Sequence, residues 1–479
     1  MMSTSRIAKA TPFEGKPRIN LPSVYGATPG KPFLLRIAAT GERPIDFSVE
    51  NLPEGLILDG TILSGRAPAE GRYEIVVTAR NAKGSATKTI TLEIGPDKIL
   101  LTPLMGFTSW NAFGDTVTQE DITRMADRLV ETGLADYGYA YVNTDSGWQG
   151  VYGGPFDAIQ PNKKFPDIKK MVDHIHSRGL KAGIYSTPML TAWGCPADMA
   201  SIPGCTTGGA DYRFAYVNGG IGVVHKEANN ARQWAAWGLD YLKYDWSPTD
   251  PVNAEAMRLA LRNTDRDFGF CVTVNALVEY GDYWSRYCQS YRHGTDSLGF
   301  WDNLLQIYRS VFDFLGWQNK GHYQDLDMLD IGSFRPVFVH HELTEDEMIL
   351  AYSLRAFFAS PIQISSMLEP LGEFEMSLYG NEEIIALNQD AGFSPVSLVL
   401  GDREDAFHVF EKKTEDGAFV YALFNVGETE RACLLRFGEP CRPRDLWARE
   451  DLPETGALTL TIPPHTVRIV KAPVKAIAE

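Results

Sequence analysis

Three stretches of the chain place apolar and polar residues with different periods. From about residue 17 to 96 the runs are short: FLLRIAA, FSVENL, YEIVVTAR and TKTITLEI alternate or are rich in β-branched residues. Turn signals such as Pro-Gly, Pro-Glu-Gly and Asn-Ala-Lys-Gly separate them, and no helical period runs through this part. The pattern predicts a small antiparallel sandwich of the immunoglobulin-like type. After about residue 395, VSLVLG, AFHVFEKK, AFVYALFN, ACLLRFG, ALTLTIP and TVRIVKAP again alternate as short strands and predict a second antiparallel β-domain.

Between these ends the period switches back and forth. MGFTSW, YAYVNTD, LKAGIYS, YLKYDW, FCVTVNA, QSYRHGTD, YQDLDML and PIQISS read as strands, with helical stretches between them. In TQEDITRMADRLVETG, Ile122, Met125, Ala126, Leu129 and Val130 mark one face; Thr118 with Asp121 forms a capping box, and Gly133 is a stop. Thr344 with Glu347 caps a later helix in the same way. Eight strands alternating with helices over roughly 290 residues match a (β/α)8 TIM barrel. A doubly wound sheet would want a glycine-rich phosphate loop after its first strand, and MGFTSWNAFG supplies none. The expected organisation is therefore multidomain: a flexible lead-in over 1–16, an Ig-like β-sandwich over 17–97, a catalytic barrel over 98–392 and a C-terminal antiparallel β-sandwich over 393–479.

Charge narrows the partners. The formal net charge of −16 disfavours nucleic acid and acidic membrane surfaces, while neutral substrates are unaffected. No apolar run is long enough for a membrane span, and the first residues, MMSTSRIAKATPFEGKPR, carry no apolar leader segment. The six cysteines contain no CxxC pair and suggest neither a zinc site nor a disulfide scaffold; no metal or other cofactor is expected. Cys195 and Cys205 flank a Gly/Pro-containing stretch and are candidates for closing a loop, with a pair of buried thiols as the alternative.

Acids then mark the chemistry. Asp145, Asp245 and Asp296 end predicted strands and Asp327 lies in DLDML, and barrel enzymes take their catalytic groups from strand C-terminal ends. Lys243 and Asp245 are two apart on one strand and share a face, so the ammonium is expected to lower the pKa of Asp245, as a nucleophile requires. Arg292 and Asp296 straddle a glycine turn, and Asp296, with no lysine beside it in sequence, is the candidate for cycling a proton. Two carboxyls in unlike surroundings fit glycoside hydrolysis. Two other readings use the same acids, a Mg²⁺-dependent barrel enzyme and a noncatalytic carbohydrate binder; Lys243 argues against both.

At these residues the sequence resembles the α-galactosidases of glycoside hydrolase family 27 (clan D, melibiase-like). The resemblance runs in order through TPLMGFTSWNAFG, ADYGYAYVNTDSGWQG, NKKFPDIKKMVDHIHSRGLKAGIYS, WAAWGLDYLKYDWSP, YRHGTD, QDLDML and IIALNQD. It implies a retaining, exo-acting hydrolase of terminal galactose-configured sugars, with an oligosaccharide or glycoside as partner and a periplasmic or extracellular location; a cytoplasmic one stays open. It also implies Asp245 as nucleophile, Asp296 as acid/base, Trp110 as a sugar-stacking face, and Tyr185, Lys243, Arg292 and Asp327 around the glycone. The family's adjacent Asp-Asp, which grips the 4- and 6-hydroxyls, reads Asp145-Ser146 here, so β-L-arabinopyranoside or a modified galactose is the alternative glycone. The fifth-strand segment VTVNALVEYGDYW lacks the usual Cys-Glu-Trp and leaves Asn275 as the candidate near the 2-substituent; a glycine-rich insertion over 188–226 is expected to shape the rim.

Overall fold

A computed structural model describes residues 7–188, 225–335, 340–369 and 371–479. Most of the 188–226 insertion, including Cys195 and Cys205, lies outside the described residues.

The N-terminal strands build two facing sheets. One is four-stranded, in the order Val24–Ala27, Gly84–Ile94, Gly71–Asn81, Asp46–Glu50; the other is three-stranded, from Pro32–Arg36, Ile62–Arg66 and Leu56–Asp59. Alternate residues point inward, so Phe33, Leu35, Leu63, Ile75, Val77 and Leu92 form a core of their own. One pairing departs from the antiparallel expectation, since Val24–Ala27 runs parallel to Thr91–Ile94. Residues 7–10, expected to lie free, are pinned between the other two domains. The Ala8 amide donates to the Trp447 carbonyl (2.9 Å), and the Ala10 amide to Ser377 Oγ (3.4 Å).

The central domain is a parallel sheet of eight strands: β1 (Met105–Thr108), β2 (Tyr141–Thr144), β3 (Lys181–Ser186), β4 (Tyr241–Asp245), β5 (Gly269–Thr273), β6 (Ser290–Tyr291), β7 (Tyr323–Gln324) and β8 (Ile362–Ile364). Neighbours follow chain order from β1 to β7, and β8 pairs with β1. Beyond β7 the ring closes where Leu329 bridges Ile364, its amide donating to the Gln363 carbonyl (2.8 Å). The expected (β/α)8 barrel is therefore present, with every predicted strand in place. Helices follow because their apolar faces return to the sheet: in Gln119–Glu131, Ile122, Met125, Ala126 and Leu129 are buried. Both predicted capping boxes, Thr118/Asp121 and Thr344/Glu347, are made, and Gly133 takes the left-handed conformation (φ 84°) that stops its helix.

The C-terminal domain pairs a six-stranded antiparallel sheet with a three-stranded one. Period-2 alternation divides its labour. Val409, Tyr421 and Leu423 face the domain's own core, while Phe410, Ala422 and Phe424 join the core of the barrel. The Ig-like domain docks on the barrel's other pole, against loops that precede the strands. Arg36 and Arg43 pair with Asp136, just before β2, Arg36 also donates to the Arg178 carbonyl before β3 (3.0 Å), and the Thr28 amide donates to Asp267 before β5 (2.8 Å). Among the described residues no helix is long and apolar enough to cross a membrane.

Candidate active site

Six strand ends on the C-terminal face contribute polar side chains. Tyr185 from β3, Lys243 and Asp245 from β4, and Asp145 just past β2 meet because β2, β3 and β4 are adjacent. The Tyr185 hydroxyl donates to Asp245 Oδ2 (2.8 Å) and Lys243 Nζ to Asp145 Oδ2 (2.8 Å), with the ammonium 5.7 Å from the Tyr185 ring centre. The other oxygen of Asp145 accepts the Ser146 amide (2.7 Å), and the Asp145 amide donates to Ser109 Oγ (2.9 Å). Ser146 is fully buried.

Arg292, one residue past β6 and buried, is the hub of the opposite side. Its Nη2 lies 2.6 Å from Asp296 Oδ1, its Nη1 2.6 Å from Asp327 Oδ2, and its Nε donates to Thr273 Oγ1 (2.6 Å). Fork geometry of this kind orients two carboxylates at once. Asp327 also accepts the Ser297 amide (2.7 Å) and holds φ at +63°, a conformation costly for a residue with a Cβ. Arg355 stabilises that stretch from below, donating to the backbone carbonyls of Leu326, Asp327 and Met328.

The two central acids differ sharply in exposure. Asp245 is 9% exposed, whereas the side chain of Asp296 is 65% exposed at the mouth. Burial pushes the Asp245 carboxyl up; Lys243, Arg292 and the Tyr185 hydroxyl oppose it, Asp296 adds to it, and the outcome is about 6. The sequence-based expectation of a lowered pKa is thus corrected. Lys243 acts in the expected direction, but desolvation outweighs it and its hydrogen bond goes to Asp145. Asp296 moves the other way, since Arg292 holds its carboxyl below the usual range despite burial of part of the group. Among the described residues, Oδ1 of Asp245 is buried and accepts no hydrogen bond.

Trp110 is half-buried two residues past β1, at the strand end where the acids lie. Asn275 is half-buried two residues beyond β5 with φ +62°. Sequence reasoning missed Asp325, whose carboxyl burial pushes up, and Asp330, which burial pushes to about 6. The spacing of acids in QDLDMLD was the available signal. No group of three or more His, Cys, Asp and Glu side chains is arranged to hold a metal among the described residues.

Comparison with known proteins agrees with this architecture. A family model described as alpha galactosidase A matches residues 102–218 and 207–390, one for the alpha galactosidase C-terminal β-sandwich matches 404–472, and an Ig-domain model matches 16–95. An alpha-galactosidase A of Cellvibrio japonicus is 29% identical over 349 residues, covering 69% of this chain and 77% of that one. A crystal structure of a candidate alpha-galactosidase/melibiase from Bacteroides fragilis superposes with a TM-score of 0.85 at 30% identity, covering 96% of this chain and 99% of the other. A β-L-arabinopyranosidase from Geobacillus stearothermophilus shares the fold at 21% identity, with a TM-score of 0.66 over 78% of this chain and 97% of its own. The eight-stranded barrel, its ring of acids and these matches lead to one assignment: the chain belongs to the alpha-galactosidase (melibiase) family of glycoside hydrolases.

Proposed function

We propose that the protein is a retaining, exo-acting α-galactosidase that removes a terminal nonreducing sugar from a glycoside or oligosaccharide, and that it works in the periplasm or outside the cell. The observation that carries the reading is the presentation of Asp245: one oxygen is held by Tyr185 and the other is buried and unbonded among the described residues. A carboxylate oxygen relieved of hydrogen bonds is a stronger nucleophile, and a fixed partner oxygen sets its angle of attack.

Asp245 Oδ1 attacks the anomeric carbon while Asp296 gives its proton to the departing glycosidic oxygen. Asp296 then takes a proton from water, which attacks the same carbon and frees Asp245, so the configuration is retained. Exposure at the mouth suits Asp296, which must meet both aglycone and water. Its lowered pKa belongs to the open pocket; a seated glycoside strips water from it and raises that pKa toward the acid role. Trp110 stacks on the sugar, and Asp145, Ser146, Lys243, Asn275, Arg292 and Asp327 receive its hydroxyls.

One observation favours a second glycone. Buried Ser146 offers a neutral hydroxyl where the resemblance leads one to expect a carboxylate, which weakens the grip on an exocyclic hydroxyl and suits β-L-arabinopyranoside. A panel of aryl α-galactoside, α-N-acetylgalactosaminide, β-L-arabinopyranoside and α-glucoside tests both readings. Fastest turnover of the α-galactoside, abolished in a folded Asp245→Ala variant, is expected. Cleavage of none of the four, or activity surviving in Asp245→Ala, overturns the proposal.

A further inference from the structure

Asp330 is a buried carboxylate, 3% exposed, that forms no ion pair among the described residues. Such a group is expensive to bury and calls for an account. Its Oδ1 accepts a hydrogen bond from Asn111 Nδ2 (2.5 Å), and the same amide nitrogen donates to the Ser297 carbonyl (3.1 Å). An ionised carboxylate and a peptide carbonyl can only accept, so both hydrogens of the Asn111 amide are used and the group can stand only one way round.

Asn111 thereby joins separate strand ends. It follows Trp110, its backbone N–H donates to Ser365 Oγ (3.0 Å), and Ser365 in turn donates to the Thr108 carbonyl (3.1 Å). Ser297 is the residue after Asp296. We infer that Asp330 is a positioning residue for the acid/base loop: acting through Asn111, it fixes the backbone at Ser297 and so the approach of Asp296 to the leaving oxygen. This inference rests on the reading of Asp296 as acid/base. The loop has further ties, from Arg292 to the Asp296 carboxylate (2.6 Å), from Asn303 Nδ2 to the Asp296 carbonyl (2.7 Å), from the Leu298 amide to Asn303 (2.8 Å) and from the Ser297 amide to Asp327 (2.7 Å); the Asn111 strut is the one that holds the Ser297 carbonyl.

A leaving group that departs without protonation separates positioning from general structural damage. General acid catalysis contributes roughly 10²–10⁴-fold, and only where the leaving group needs the proton. The assay compares kcat/KM on a dinitrophenyl and a methyl glycoside of the glycone that wild type prefers. Asp296→Ala should lose most of its activity on the methyl glycoside and little on the dinitrophenyl one. Asp330→Ala should show the same split more weakly, falling about 10- to 100-fold on the methyl glycoside and less than about 3-fold on the other. Asp330→Asn keeps an acceptor oxygen and should restore the methyl activity to within about 3-fold of wild type. Asn111→Ala cuts the other end of the strut and should reproduce the split even if Asp330→Ala does not fold.

Equal loss on both substrates in Asp296→Ala overturns the acid/base reading and this inference with it. A split in Asp296→Ala, joined to equal loss on both substrates in Asp330→Ala or Asn111→Ala, overturns the inference alone. So does failure of Asp330→Asn to restore the methyl activity.

Discussion

Replacing Asp245 with Asn should make the folded protein more stable at neutral pH while removing its activity. Burial holds this carboxyl at about 6 in the folded chain against 3.8 for an unperturbed group. An acid whose folded pKa is raised favours folding fully only below its unfolded value, and that contribution is lost as pH rises through the folded one. At about 1.4 kcal/mol for each pH unit, keeping Asp245 ionised above pH 6 costs about 3 kcal/mol. Asn fills the same volume without the charge and can still accept from Tyr185. The nearby cations keep other partners, Asp145 for Lys243 and Asp296 with Asp327 for Arg292. Thermal unfolding of wild type and Asp245→Asn across pH 4 to 8 measures the effect. The two should nearly coincide near pH 4, draw apart as pH rises to about 6 and keep a constant gap above it, the variant melting about 6 °C higher at roughly 2 °C per kcal/mol. A difference that does not change with pH, or a variant less stable at pH 8, would refute the reasoning. Turnover in the same variant should drop about 10⁴-fold or more.

Other consequences are as direct. On a dinitrophenyl glycoside, whose leaving group needs no proton from Asp296, wild-type kcat/KM should fall as pH drops through about 6, where Asp245 takes up its proton, and an acid limb near 4 on that substrate would contradict the burial argument. Arg292→Ala leaves Asp327 buried without its cation, so denaturant titration should show a loss of roughly 3–5 kcal/mol. The same change lifts the restraint on the Asp296 pKa, and the alkaline limb of kcat should move to higher pH. Ser146→Ala should weaken kcat/KM on the α-galactoside by about 2- to 12-fold, the value of one hydrogen bond, and leave the β-L-arabinopyranoside, which has no exocyclic hydroxyl, unchanged. Equal effects on the two sugars would remove Ser146 from the glycone pocket.

The barrel was legible because apolar runs of strand length alternate with amphipathic helical stretches, a pattern that survives without knowledge of neighbours. Every strand from MGFTSW to PIQISS appears, although β6 and β7 shrink to two residues each. Pairings across the barrel were not legible. Lys243 stands two residues from Asp245, and periodicity rightly put both on one face, yet its bond goes to Asp145, 98 positions earlier and two strands away. The sign of the Asp245 shift was missed for the same reason, since desolvation is a property of the packed site and not of the strand. Asp330 and Asn111 lie 219 positions apart, and nothing local joins them. Arg292 and Asp296 were legible together because a short turn brings them within reach.

The Ig-like domain meets the barrel through Asp136, Arg178 and Asp267, all on loops that precede strands, while the acids stand where strands end. The protein therefore has a sealed floor and an open mouth. A sugar chain threaded toward Asp245 meets barrel loops first, with the Ig-like domain behind the reaction. The domain's outer surface is the natural handle for tethering the enzyme to a bead or a fusion partner, mouth outward, with the path of the substrate left clear.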